Sequence, residues 1–326
     1  MDYNKRNYFL DNLKVLLISL VVFGHVIEYY IDGSYILKGI YLFVYVFHMP
    51  LFVCVSGYLS KNVDKCKRTA VKNLLIPYIV FNMIWYLSVY FATGQYMFSL
   101  IYPGWTLWYL LSLFLWRISL KYLIKIKHIV SISILISLFI GCLPSGETFL
   151  SFFRTINFLP FFLIGYFLNE NHINLRKKPS RIMSAIIITI YIGSAFYIAK
   201  NDLLDYKFLY NSQSYADSGL NVFQGSLFKF ISYVSSMILS ICVANIVPSK
   251  KKFYTHIGKS TMTIYVFHIY LVILIYIMIP SWNISLIKNS ILITSPLIII
   301  YILSRGIVGK IYNIMFNTIN KILSLK

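Results

Sequence analysis

Long apolar runs, each about the length of a membrane crossing, follow one another along this chain from residue 9 to residue 305. A transmembrane helix needs roughly 20 mostly apolar residues. Ten segments qualify, at about 9–30, 37–59, 72–93, 105–122, 127–143, 149–168, 182–199, 223–247, 258–280 and 288–305. The fourth and fifth are the least separated. The pattern predicts an all-α, polytopic membrane protein with about ten transmembrane helices.

The polar segments between these runs give the orientation. Lys and Arg concentrate on the cytoplasmic side of membrane proteins. With the N-terminus inside, alternate segments hold Lys5, Arg6 and Lys14; the loop "KNVDKCKRTAVK"; Arg117, Lys121, Lys125 and Lys127; Arg176, Lys177, Lys178 and Arg181; Lys250, Lys251, Lys252 and Lys259; and the basic residues after 304. Twenty-four of the 30 Lys and Arg then fall inside and six outside. A wrong span count would scramble that alternation, so the split predicts an N-in, C-in chain.

Composition sharpens this picture. The 326 residues are 59% hydrophobic and 18% aromatic, with only 12% charged, against about 25% charged in soluble domains. No sizeable soluble domain is left over. The net charge of +20 raises nucleic acid as a partner, but the basic clusters sit in short loops where they orient helices and meet anionic lipid. Nucleic-acid binding is therefore not expected. Lys5 and Arg6 ahead of an apolar run resemble a signal peptide, yet no small-residue cleavage site follows; the run reads as a retained first helix. The four cysteines have no paired or CxxC spacing; Cys54, Cys142 and Cys242 lie in apolar runs and read as small hydrophobes, and Cys66, in a basic loop, as a free thiol, with no disulfide or metal role expected. Residues 200–221, "KNDLLDYKFLYNSQSYADSGLN", form the long outer segment. They read either as a solvated connector or as a lid over a sugar.

The intramembrane polar groups carry the candidate chemistry. A charge near the bilayer centre costs roughly 2.5–3.5 kcal/mol on insertion scales. On the first helix, Lys14 and His25 are eleven positions apart, which is three turns plus about 20° and roughly 16 Å along the axis. Asp11 and Glu28 fall on the same stripe, Asp11 as a partner for Lys14 and Glu28 exposed at the outer boundary. His25 is too deep to reach water by extending. His48 sits at similar depth on the second helix, two residues before Pro50, which should kink the helix and free a carbonyl near the imidazole. His268 lies near the middle of the ninth helix, and Arg154 one turn into the sixth, with Asn157 a turn deeper. None of the three histidines has a second ligand at helical spacing, so no metal site is expected.

These residues carry a family resemblance. "FLDNLKVLLISLVVFGHV" followed by "VFHMPLFVCVSGYL" resembles the acyltransferase 3 family of integral membrane acyltransferases, and looks closest to its fucose 4-O-acetylase-like branch. "GWTLWYLLSLFLWR", "RTINFLPFFLIGYFL" and "GKSTMTIYVFHIYLV" resemble that family's fourth, sixth and ninth segments in order. The resemblance implies one integral membrane acyltransferase domain over 1–326, multi-pass in a bacterial inner membrane. It implies transfer of an acyl group, usually acetyl, from cytoplasmic acetyl-CoA or another acyl-CoA to a hydroxyl of a surface glycan or a lipid-linked oligosaccharide. The family's first-helix motif, a basic residue, ten residues and His, is met by Lys14 and His25. Lys14 stands where Arg is commoner and supplies a point charge rather than a bidentate fork. His25, His48, Arg154 and His268 are the implied catalytic set. Some members add an extracellular hydrolase-like domain; without one, the chain is expected to act alone or with separate glycan-assembly partners.

The expected chemistry follows. Coenzyme A phosphates would be drawn to Lys14, Lys65, Arg68 and Lys72 among the inner basic residues, with the pantetheine arm threading toward His25. His25 would act as general base or become transiently acetylated, and Arg154 or His48 would stabilise the oxyanion. The rival class is a transporter or flippase for a lipid-linked glycan, against which stands the lack of paired Gly/Pro-broken helices in two halves. A non-catalytic scaffold is a third reading. Acetyl against a longer acyl group such as succinyl, and the identity of the glycan, stay open in the sequence.

Overall fold

The structure, a computed structural model, describes residues 7–144, 149–169, 178–279 and 286–323. The basic residues Lys5, Arg6, Arg176, Lys177 and Lys326 of the orientation pattern lie outside the described residues, as do the side chains of Lys178 and Lys288. The described residues form α-helices with short 3-10 and π turns and no strand.

Twelve α-helices are described: α1 (Tyr8–Glu28), α2 (Tyr35–Tyr58), α3 (Val63–Ala70), α4 (Ile76–Thr93), α5 (Trp108–Leu123), α6 (Ile129–Ile140), α7 (Phe152–Phe167), α8 (Lys178–Lys200), α9 (Val222–Ile246), α10 (Thr261–Met278), α11 (Leu286–Leu303) and α12 (Gly306–Ile322). Each of the ten predicted segments carries a helix. Seven helices, α3 and α4 counted as one through a π turn at Val71–Leu75, are long and apolar enough to cross a membrane alone; the bent pair α11–α12 makes eight. The fourth and fifth segments fall short. Helix α5 has 16 residues and α6 has 12, roughly 24 and 18 Å against a hydrocarbon core of about 30 Å. Helix α12, bent 56° from α11, follows the last predicted span. Its apolar residues recur one turn apart instead of forming an unbroken run, so a search for 20-residue runs passes over it.

By their contacts the residues group into two compact units. The first holds Met1–Phe52, Glu170–Tyr206 and Val234–Met315; the second holds Val53–Asn169, Lys207–Tyr233 and Phe316–Lys326. In the first unit α1 is the central helix, packed on α10, on α11 and on the turn Thr255–Lys259. Leu17, Ile18, Val22 and Val26 of α1 are fully buried. Apolar side chains facing lipid gain little from burial, so close packing and hydrogen bonds hold such helices together. The buried amide of Asn12 is an example. Its Nδ2 donates to the carbonyls of Pro248 (2.8 Å) and Lys250 (3.0 Å), and its Oδ1 accepts from Thr255 Oγ1 (2.6 Å).

In the second unit the motifs "VSGYL" and "LIGYF" bring two backbones together. A Cβ added at Gly57 would stand 1.9 Å from the carbonyl oxygen of Phe162, and one at Gly165 would stand 1.9 Å from that of Cys54. Only hydrogen fits at either position. Small residues facing each other across two helices are a common membrane packing device.

Candidate active site

Helix α1 is unbroken from Tyr8 to Glu28, so the predicted spacing holds, and Lys14 and His25 share one face roughly 16 Å apart. At the Lys14 end, the ammonium pairs with Asp11 at 2.9 Å. The Asn12 bonds hold the start of the loop 248–252 against this end, and Lys250, Lys251 and Lys252 on that loop are exposed.

At the other end, His25 Nδ1 and Glu28 Oε2 are 2.7 Å apart. Glu28 is thus a partner of His25, not a boundary residue merely exposed to water. The carboxylate accepts the Nδ1–H, which leaves Nε2 as the basic nitrogen of the ring. The main chain here is also held, with Tyr276 donating to the carbonyl of His25 and Tyr30 to that of Ile279 (2.8 Å). Gly24 lets Tyr45 of α2 approach beside His25, since a Cβ would lie 3.0 Å from the tyrosine ring.

His25 and His268 come together, their ring centroids 5.4 Å apart and tilted by 35°. His268 is fully buried. Its Nδ1 faces the carbonyls of Tyr265 (2.7 Å) and Ile264 (3.2 Å) on its own helix. His48 is buried and its Nδ1 donates to Val44 O at 2.9 Å. A neutral His48 held in this way has a lone pair at Nε2 and nothing to donate to an oxyanion. The carbonyl freed by Pro50 is that of Val46, four residues earlier, and it accepts from Ser236 Oγ at 2.5 Å. The imidazole bonds the carbonyl of Val44 and not the freed one.

The remaining expected site residues belong to the second unit. Arg154 Nε donates to Tyr210 O at 3.3 Å and its guanidinium stands 5.3 Å from the Trp108 ring. Asn157 Nδ2 donates to Asn211 O at 3.0 Å and its Oδ1 accepts from Ser137 Oγ at 2.6 Å. Lys229, buried on α9, donates to Asn211 Oδ1. Tyr215 donates to Leu138 O at 2.9 Å. The segment 207–215 is thus held at several points to the helices of its own unit. Lys65, Arg68 and Lys72 lie along α3 and the π turn at i, i+3 and i+7, and share one side of the helix. Lys65 and Arg68 are exposed and Lys72 is half-buried. Among the described residues, no three His, Cys, Asp or Glu side chains are grouped to hold a metal ion.

Sequence reasoning missed Asn12, Tyr276, Lys229 and the role of Glu28. Only Glu28 had a clear signal, its position one helical turn after His25.

A family model described as an acyltransferase domain matches residues 7–305. Among curated proteins, the chain is 34% identical over 95 residues to nodulation protein NolL of Mesorhizobium japonicum, covering 26% of each chain. It is 39% identical over 62 residues to nodulation protein NolL of Sinorhizobium fredii, covering 18% of this chain and 17% of that one. The matched part is thus about a quarter or less of these relatives' length. No solved structure matches the chain.

Proposed function

The chain belongs to the acyltransferase family of that domain model, and from this premise we propose that it transfers an acetyl group from acetyl-CoA to a glycan hydroxyl. The donor is cytoplasmic and the acceptor is a cell-surface polysaccharide or its lipid-linked precursor, with the enzyme multi-pass in a bacterial inner membrane. The observation that carries this reading is the His25–Glu28 pair, 2.7 Å apart, at the opposite end of α1 from Lys14. It is a positioned base backed by a carboxylate, on the same helix face as a cation suited to a phosphate.

In the mechanism, Nε2 of His25 takes the proton of the acceptor hydroxyl as its oxygen attacks the thioester carbonyl. The imidazolium that forms faces the Glu28 carboxylate, which stabilises it. The tetrahedral intermediate collapses, the C–S bond breaks, and the thiolate of coenzyme A recovers the proton from His25. Glu28 also holds Nε2 as the nitrogen aimed at the substrate, by keeping the proton on Nδ1. The donor's phosphates are held by Lys14 together with Lys250, Lys251 and Lys252, where basic side chains of this unit meet the cytoplasm.

The test uses membranes incubated with acetyl-labelled coenzyme A and glycan from a strain lacking this gene. Label on the glycan is expected with wild-type protein and none with His25→Ala at equal protein level. Glu28→Gln is expected to slow transfer about 10- to 1000-fold, in the range of a compromised general base. Full transfer by the His25→Ala protein would remove the central claim.

A further inference from the structure

His268 has a nitrogen with no partner. The ring is fully buried, and Nε2 is among the few buried polar atoms of the described residues without a hydrogen bond. The tautomer explains why. Nδ1 faces two carbonyls of its own helix, at 2.7 and 3.2 Å, so Nδ1 carries the proton and Nε2 is a bare acceptor. That nitrogen is on the side of the ring away from those carbonyls, and the His25 ring is 5.4 Å away, centroid to centroid. A buried acceptor left unsatisfied is costly, and each one in a folded protein calls for an explanation.

The chemistry of the ligand follows from the neighbours. His25, His48 and His268 each present Nδ1 to an acceptor: His25 to Glu28, His48 to Val44 and His268 to Tyr265 and Ile264. Each therefore keeps a lone pair at Nε2. A carboxylate or phosphate would meet lone pairs and be repelled. A thioester carbonyl has no hydrogen to give. A metal ion takes lone pairs, but these rings are not grouped as a metal site among the described residues. A hydroxyl is the donor that fits.

Resting on the acyl-transfer reading above, we propose that His268 Nε2 accepts a hydrogen bond from a second hydroxyl of the acceptor sugar, adjacent to the hydroxyl that His25 deprotonates. The enzyme then recognises a vicinal diol. One hydroxyl reacts, and the other fixes which hydroxyl that is. His268 contacts substrate but takes no proton from it.

The experiment compares His268→Phe and His268→Gln in the purified, detergent-solubilised full chain, with acetyl-labelled coenzyme A and glycan from the strain lacking the gene. Phe fills the site and removes the orphan acceptor, so its Tm is expected to equal or exceed that of wild type. Its transfer rate is expected to fall about 10- to 100-fold, the effect of losing one substrate hydrogen bond in a buried site. Gln restores an acceptor oxygen without a base and is expected to stay within about tenfold of wild type. The ester formed by wild type, located by NMR, is expected on a carbon whose neighbour bears a free hydroxyl. Unchanged transfer by the Phe protein would overturn the proposal and leave Nε2 to an ordered water. A lowered Tm in both variants with no rescue by Gln would overturn it in favour of a structural role. An ester flanked on both sides by substituted carbons would exclude the diol. If wild type transfers no label at all, it is the acyl-transfer reading that fails.

Discussion

Lys14 and Glu28 show how much a single side chain depends on its neighbour one turn away. Lys14 has the partner that its sequence offered one turn before it: Asp11 holds it at 2.9 Å, with side-chain exposures of 23% and 11%. An ammonium has three donors, so Nζ can keep Asp11 and still meet a phosphate oxygen. If it does, Lys14→Gln is expected to raise the KM for acetyl-CoA about 10- to 100-fold with a much smaller change in kcat, while Lys14→Arg stays near wild type. Steady-state kinetics over a range of acetyl-CoA concentrations separates this from a structural role, in which Tm falls and KM does not move. Glu28 is the opposite case. Its sequence position announced the contact with His25, yet a carboxylate at a span boundary is so often simply hydrated that the pairing needed coordinates to be recognised.

At the scale of helices, the sequence was most legible where apolar runs were long. Helices α1, α2, α7, α9 and α10 fall within a few residues of their predicted spans, because a bilayer imposes both length and apolar content. It was least legible where a helix is short or two-faced. Helix α6 ends after 12 residues, and α12 alternates isoleucines with Lys310, Asn313, Asn317 and Lys321. The candidate residues could be named from their depth in the membrane, but their contacts could not. Asn12 reaches carbonyls 236 and 238 residues away, and no local pattern encodes such a pair. Close backbone approach is likewise invisible in hydropathy. Gly57→Ala or Gly165→Ala would drive a methyl into a carbonyl oxygen, and each is expected to destabilise the protein by about 3 kcal/mol. A lower Tm of the purified protein, with less of it recovered from membranes, is the measurement. Wild-type Tm in both variants would contradict the close approach.

For the whole molecule, the open quantity is orientation, and the cysteines offer a direct reading of it. Cys142 is exposed, while Cys54, Cys66 and Cys242 are buried. In the N-in arrangement, Cys142 stands at the outer end of the fifth predicted span, just past the last residue of α6. A membrane-impermeant maleimide added to spheroplasts is therefore expected to label the protein once, and Cys142→Ser to abolish the label. Labelling that appears only in inside-out vesicles would reverse the assignment.

The long reach of α1 has a consequence for how the protein is made. Tyr276, which holds the main chain at His25, is 251 residues further along the chain. At about 5–20 residues per second of synthesis, α1 leaves the ribosome roughly 12–50 seconds before that partner exists. Through that interval its polar stripe of Asp11, Lys14, His25 and Glu28 sits in the membrane without α10. The first helix made is among the last to be completed, so a nascent chain stopped before α10 should be an early target for membrane proteases.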